Sequence, residues 1–439
     1  LVHLPFSLEL LTTSVIVHFS LASLFTYLFA RHLARRAGAR RPAARFAGAV
    51  AALSFTYAGY LTSFPVQQLT ILETAVWLPL ALLFLDRAFF RPRPLPQLIL
   101  AGMALACALL AGHPQTAMYV VYATVAYGLF LVWATGDTQL ASRFKDYVGR
   151  IAYCVLIPIA VALALATIQL LPTLGFIGRS SRASLHYDAV SWGFPLVEMT
   201  HLLYPGFFGG SPQYVGILTP ILAVAAWFLR RARREVVFWT VVGVVALLLA
   251  FGGNTFLYNL TYLMVPGFGV VRNQERIIYL FGFALSVLAG YGALTLVHPL
   301  PRAERKGYCR FGRGLAWVWV ALLALTALFY FGYLQGLQQD VEINLFEGLL
   351  RHHVPLLLIL GGAVLLFALR RTGRPSRGFL MALTLGLIWL NLFTVNWRFN
   401  LAEPLAGGPF PETGLVAFLK EQPGFIRVSS AGLLPGGAS

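Results

Sequence analysis

Charge is scarce in this chain. Asp, Glu, Lys and Arg make up 11% of its 439 residues, whereas a soluble domain carries about 25%, so most of its surface cannot face water. Acids are the rarer sign, with 16 Asp and Glu against 33 Lys and Arg. Cysteine is nearly absent. Cys107 and Cys154 fall in apolar runs, Cys309 falls in a basic loop, and no two of them form a C-x-x-C pair, which excludes a disulfide framework and a zinc site. Walker, G-x-S-x-G and H-E-x-x-H motifs are missing too, so hydrolysis of ATP is not expected of this chain.

Apolar residues are abundant: 58% of the chain is hydrophobic and its mean hydropathy is +0.74. In lipid every backbone N–H and C=O needs an internal partner, so apolar stretches of about 20 residues must be helical. Barrel strands would show alternating segments of roughly 10 residues, whereas runs such as 241–251 and 356–369 are continuous. The predicted fold class is an all-α polytopic membrane protein with about 12 transmembrane helices and interfacial helices on the outer face. The spans are placed at 8–30, 46–62, 71–86, 97–112, 115–133, 151–172, 214–229, 236–252, 275–297, 314–334, 354–369 and 378–396. Residues 1–396 then form a transmembrane domain, and 397–439 the start of an extracytoplasmic C-terminal region. The first apolar run is followed rather than preceded by arginines, unlike a signal peptide. The chain opens at Leu1 without Met and closes on Pro435-Gly436-Gly437-Ala438-Ser439, so it reads as an internal piece of a longer protein.

The net charge of +17 does not indicate nucleic acid as a partner, because the charge sits in short loops between apolar runs. Arginines and lysines at 31–45, 87–93, 143–150, 230–234, 302–313 and 370–377 account for 25 of the 33 basic residues, alongside five of the 16 acids. The positive-inside rule makes these loops cytoplasmic and puts both ends of the chain outside a bacterial cytoplasmic (inner) membrane. The long segments 173–213, 253–274, 335–353 and 397–439 fall on the other side. The basic loops offer few groups able to do chemistry, so a site is expected on the outer face. Ion-coupled carriers keep ionisable residues near mid-membrane. Here His18 is the one titratable group well inside an expected span, and a lone histidine there also suits a hydrogen-bonded packing role.

Four outer constellations hold the candidate site residues. Val265-Pro266-Gly267-Phe268 leads into Arg272-Asn273-Gln274-Glu275-Arg276. A helix starting there would put Arg272 and Arg276 on one face, at an N-terminus with free N–H groups, and guanidinium forks suit phosphate oxygens. The pair is either a seat for a lipid-linked phosphate or an interfacial anchor partly neutralised by Glu275. At Gly112-His113-Pro114-Gln115, His113 is either an acid, base or donor, or a turn residue facing water. The segment from Arg179 to Gly216 carries Arg182, His186, Asp188, Trp192, Glu198, His201 and Tyr204, a mixture suited to carbohydrate stacking or to an interfacial helix, and equally to an ordered connection. Glu73, near Gln67 and Gln68, either lines a cavity or caps a helix.

Several stretches, taken in order, resemble the YfhO family of bacterial membrane proteins. These are Tyr27-Leu28-Phe29-Ala30-Arg31, Ser54-Phe55-Thr56-Tyr57-Ala58-Gly59-Tyr60, Trp77-Leu78-Pro79-Leu80, Leu110-Ala111-Gly112-His113-Pro114-Gln115, Tyr214-Val215-Gly216-Ile217, Ala250-Phe251-Gly252, and Val265 to Phe268 with Arg272 and Arg276. That family is similar to GT-C glycosyltransferases, which take a sugar from a polyprenyl-phosphate carrier on the outer face. The resemblance implies membrane lipid, a polyprenyl-phosphate-linked sugar and a glycan or polymer acceptor as partners. It implies a catalytic acid in a first outer loop lying before Leu1. It makes His113, Arg272 and Arg276 candidate site lining, and Gln115, Glu73 and His201 join them from the outer constellations as candidates for substrate binding; no metal ligand is named, and a divalent metal stays open as cofactor. A flippase or exporter of lipid-linked glycan and a non-catalytic protein of envelope assembly are the competing functions.

Overall fold

The computed structural model describes residues 8–63, 68–135, 144–180, 185–205, 212–338, 344–396, 414–422 and 424. Among them there is no strand. The longer helices are α1 (Leu8–Arg36), α2 (Arg41–Thr56), the single turn α3 (Gly59–Thr62), α4 (Leu69–Ala75), α5 (Leu78–Phe89), α6 (Leu95–Leu110), α7 (Pro114–Thr135) and α8 (Phe144–Gly178). The single turn α9 (Tyr187–Val190) precedes α10 (Leu218–Ala225), α11 (Arg233–Ala250), α12 (Phe256–Met264), α13 (Ile278–Val297), α14 (Arg302–Gln338), α15 (Asn344–Thr372) and α16 (Arg377–Asn396). Residues Leu1–Trp397 make one compact unit; the second, Arg398–Ser439, contributes α17 (Gly414–Glu421).

Among the described residues, eight helices are long and apolar enough to cross a membrane, the make-up of a multi-pass helical membrane protein. Each of the twelve expected spans falls on helix, but those at 46–62, 97–112 and 214–229 coincide with helices of only 16, 16 and 8 residues, the last continued by a 3-10 turn at Ala226–Phe228. The span at 236–252 coincides with α11, whose 18 residues open on Arg233, Arg234 and Glu235. Elsewhere helix runs further than hydropathy suggests. α8 continues to Gly178, inside the expected outer segment 173–213, while α14 reaches Gln338 and α15 begins at Asn344, inside 335–353. Once a helix is nucleated, each further residue adds a hydrogen bond whether or not it lies in lipid.

α13 is the axis of the bundle. It packs on α1, α2, α10, α11 and α16, and all but one of its residues is buried. Its contact with α10 needs glycine: a Cβ on Gly292 would lie 1.8 Å from the Leu222 carbonyl oxygen. Beside it the rings of Phe29, Phe55, Trp239 and Phe283 pack edge-on or stacked at 5.1–6.0 Å, the offset geometry aromatic quadrupoles favour. α14 is the opposite case. It packs mainly on α15, and its most apolar stretch contains no buried residue, as expected of a helix whose surroundings are lipid.

Candidate functional site

The site is built at the start of α13. Asn273 has φ 61°, a left-handed conformation that Asn tolerates better than most residues, and its amide donates to Glu275 Oε1 at 2.8 Å. A 3-10 turn, Gln274–Ile277, follows and leads into α13. This corrects the expected arrangement of the two arginines. The left-handed residue ends any common helical face, so Arg272 lies ahead of the helix, exposed and without a hydrogen bond or ion pair to another described residue. Arg276 turns inward: Nη1 donates to Gln115 Oε1 at 2.9 Å and Nη2 to Gln68 Oε1 at 3.3 Å. Its guanidinium thereby joins the start of α7 and the residue preceding α4.

The neighbouring groups form a chain of satisfied amides and phenols. Gln115 Nε2 donates to Tyr119 Oη at 2.9 Å and to the Asn273 carbonyl at 3.1 Å. Tyr119 Oη donates to Gln274 Oε1 at 3.1 Å, and Gln274 Nε2 to the carbonyls of Val190 and Val271, both at 2.9 Å. Gln115, Tyr119 and Gln274 are all buried, so each bond holds a group that would be costly to leave dry and unpaired. Tyr60 and Tyr119 lie within electrostatic range of both Arg276 and Glu275. Tyr60 and Tyr279 pack at 6.0 Å, and both their hydroxyls are buried without a hydrogen-bond partner among the described residues. Arg276 is therefore within electrostatic range of one buried hydroxyl, that of Tyr60, which retains hydrogen-bonding capacity.

The segments around Val190–Phe194 and Tyr258 are tied to this centre. The Gln274 N–H donates to the Trp192 carbonyl at 2.7 Å, Tyr258 Oη to the Val190 carbonyl at 2.9 Å, and the Phe194 N–H to the Ala250 carbonyl at 3.0 Å. Gly252 closes the clasp from the end of α11. Its φ is +53°, and a Cβ there would lie 2.2 Å from the Ser191 carbonyl oxygen. Phe268 of the Val265–Phe268 turn is buried against Tyr119, Tyr122 and Tyr258.

The remaining candidates have their own partners. His113 caps α7: its Nδ1 accepts from the Thr116 N–H at 3.2 Å and lies 2.7 Å from Thr116 Oγ1, the position from which capping side chains satisfy first-turn donors. Glu73 sits in the second turn of α4 and so is not a cap; it accepts from Ser14 Oγ of α1 at 2.9 Å, and Nδ1 of His18 bonds the Ser14 carbonyl at 2.8 Å. His201 is buried, 4.0 Å from Glu198 Oε2, which accepts from Gln213 at 2.9 Å; the charges of Glu198 and Glu275 interact. Tyr204 bonds His353 at 3.0 Å and stacks on it. Gln67, Arg182 and the 206–210 stretch lie outside the described residues. No group of three or more potential metal ligands occurs among the described residues.

A second polar centre, at the arginine-rich end, was not foreseen from the sequence, which pointed to basic loops with little chemistry. Asp86 is fully buried within α5. It accepts from His32 Nε2 at 2.8 Å, Tyr127 Oη at 2.5 Å and Arg36 Nη1, while Arg36 Nη2 reaches Glu235 Oε1 at 2.6 Å. The one available signal is an acid placed directly before Arg87 in an otherwise apolar helix.

Fold and site together define an all-helical, multi-pass membrane protein with a polar centre at the N-terminal end of its most buried helix. Compared with known proteins, the chain matches no family model, no curated protein and no solved structure.

Proposed function

We propose that this chain is a GT-C-like membrane glycosyltransferase of the YfhO type. It has twelve spans, sits in a bacterial cytoplasmic membrane with its arginine loops inside, and moves a sugar from a polyprenyl-phosphate carrier to a cell-envelope acceptor on the outer face. The observation that carries the reading is Arg276, held by Gln115 and Gln68 within electrostatic range of the buried Tyr60 hydroxyl, whose ring packs on Tyr279. In such a transfer the acceptor oxygen bonds to the anomeric carbon. The bond from that carbon to the phosphate oxygen breaks, and the phosphate leaves with the electron pair. The acceptor's proton passes to a base, and the charge gathering on the phosphate needs donors already in place. Arg276 supplies a fixed positive charge with a planar fork of donors, and the tyrosines supply neutral donors. Gln115 and Gln274 are positioning residues. Arg272, ahead of the helix and exposed, suits the diphosphate or lipid headgroup at the entrance.

The test is transfer from polyprenyl-phosphate sugars by the purified full-length protein. Removing one preorganised donor of this kind costs on the order of 100-fold in rate, so Arg276→Ala should lose about that much at normal protein level and Arg272→Ala clearly less. Transfer unaffected by Arg276→Ala would refute the assignment. Loss of the surface glycan in cells, with no transfer by the wild-type protein in vitro, would replace the enzyme by an exporter.

A further inference from the structure

A second recess lies at the other end of the molecule, where the beginning of α14 runs beside the end of α15. It encloses about 710 Å³, within the roughly 300–1,000 Å³ of pockets that take small molecules. Arg305 and Arg313 enter it from α14, Arg370 and Arg371 from α15, and the wall between them is apolar, with Val364 and Phe367. Phe367 is fixed by stacking on Tyr308 at 5.3 Å.

The four arginines differ. Arg370 is committed to the fold: Nη2 donates to the His298 carbonyl at 2.6 Å and Nε to the Thr295 carbonyl at 3.3 Å, satisfying the end of α13. Arg305, Arg313 and Arg371 are exposed, and no carboxylate among the described residues pairs with them. The lining contains no acid at all. Three unneutralised guanidinium groups around an apolar wall are complementary to a molecule with an anionic head and an apolar body. α14 has 37 residues, about 55 Å of helix, against a hydrocarbon core of about 30 Å. Its first turns therefore extend past the hydrocarbon to headgroup level, while beyond them Trp317, Val318 and Val320 are exposed and offer a path for acyl chains.

We propose that this recess is a binding site for an anionic phospholipid, with Arg305, Arg313 and Arg371 holding the phosphodiester and the Val364–Phe367 wall receiving the upper part of a chain. Basic pockets between transmembrane helices bind anionic lipid heads in this way, and arginine forks match phosphate oxygens. Inorganic phosphate carries the same charge but makes no use of the apolar wall. The site lies on α14 and α15 and is independent of the sugar-transfer reading.

The test uses the full chain in a neutral detergent and follows its thermal midpoint and its retained lipid by native mass spectrometry. Phosphatidylglycerol or cardiolipin should be retained and should raise the midpoint; phosphatidylcholine and inorganic phosphate should not. The triple variant Arg305→Ala, Arg313→Ala, Arg371→Ala removes exposed, unpaired charges, so without lipid its midpoint should match the wild type, while its affinity for the anionic lipid falls about a hundredfold. If the triple variant lowers the midpoint without lipid, a triple lysine variant decides: retained charge without the forks should restore folding and bind with intermediate affinity. Equal effects of phosphatidylcholine, equal effects of inorganic phosphate, or an undiminished lipid response in either triple variant would each overturn the proposal.

Discussion

Arg36 stands between two carboxylates, Asp86 and Glu235, and Asp86 has no exposure to solvent. Removing one partner of a buried ion pair leaves an uncompensated charge and costs about 3–5 kcal/mol; here two carboxylates would lose the guanidinium together, Asp86 keeping only His32 and Tyr127. Arg36→Ala should therefore lower the thermal midpoint strongly. Adding Asp86→Asn and Glu235→Gln should restore much of the loss, because neutral amides are cheaper to bury than unpaired carboxylates. A midpoint for Arg36→Ala level with the wild type would show the cluster to be solvated. This centre was illegible in the sequence for a simple reason. Arg36 lies 50 residues from Asp86 and 199 from Glu235, and each residue alone looks like an ordinary loop charge. The same holds at the centre around Arg276, where Arg276 and Gln115 were both candidates but their pairing across 161 residues was not visible. His113 itself, the more chemically suggestive residue, turned out to hold a helix start.

Among the helices, each of the twelve expected spans coincides with helix, eight described helices are long and apolar enough to cross a membrane, and several ends were misjudged. α8, α14 and α15 continue through polar flanks, since window averages register lipid-compatible composition and not the persistence of backbone hydrogen bonds. The short helices α2 and α10 show the converse. Their length falls below what the bilayer asks, and their place is set by packing on α13. That packing makes a sharp prediction for the α10–α13 contact. Gly292→Val would drive a branched side chain into the Leu222 carbonyl, already 1.8 Å from an ideal Cβ. Overpacking of a core costs about 1–3 kcal/mol, occasionally more, so the variant should unfold earlier than Gly386→Val in α16, where a Cβ would meet open space. Equal midpoints for the two variants would mean that the helices separate readily.

At the scale of the whole molecule, the distribution of arginine carries the assignment of sides. Arg272 and Arg374 test it, one just ahead of the turn that holds Arg276 and one in the turn between α15 and α16. In a background lacking Cys107, Cys154 and Cys309, a membrane-impermeant thiol reagent added to intact cells should label Arg272→Cys and spare Arg374→Cys until the cells are opened. The reverse pattern would invert the molecule and remove the basis for an outer-face transferase.

Because Arg276 lies in the turn that opens the helix with the fewest exposed residues, the aim of its guanidinium depends on the interior behind that turn as well as on Gln115 and Gln68. Substitutions at Phe29, Trp239 or Phe283, whose rings pack together beside that helix, should therefore tilt the same lever. Loss of activity in such a protein would map onto its middle as well as onto Arg276, at side chains that never approach anything it handles.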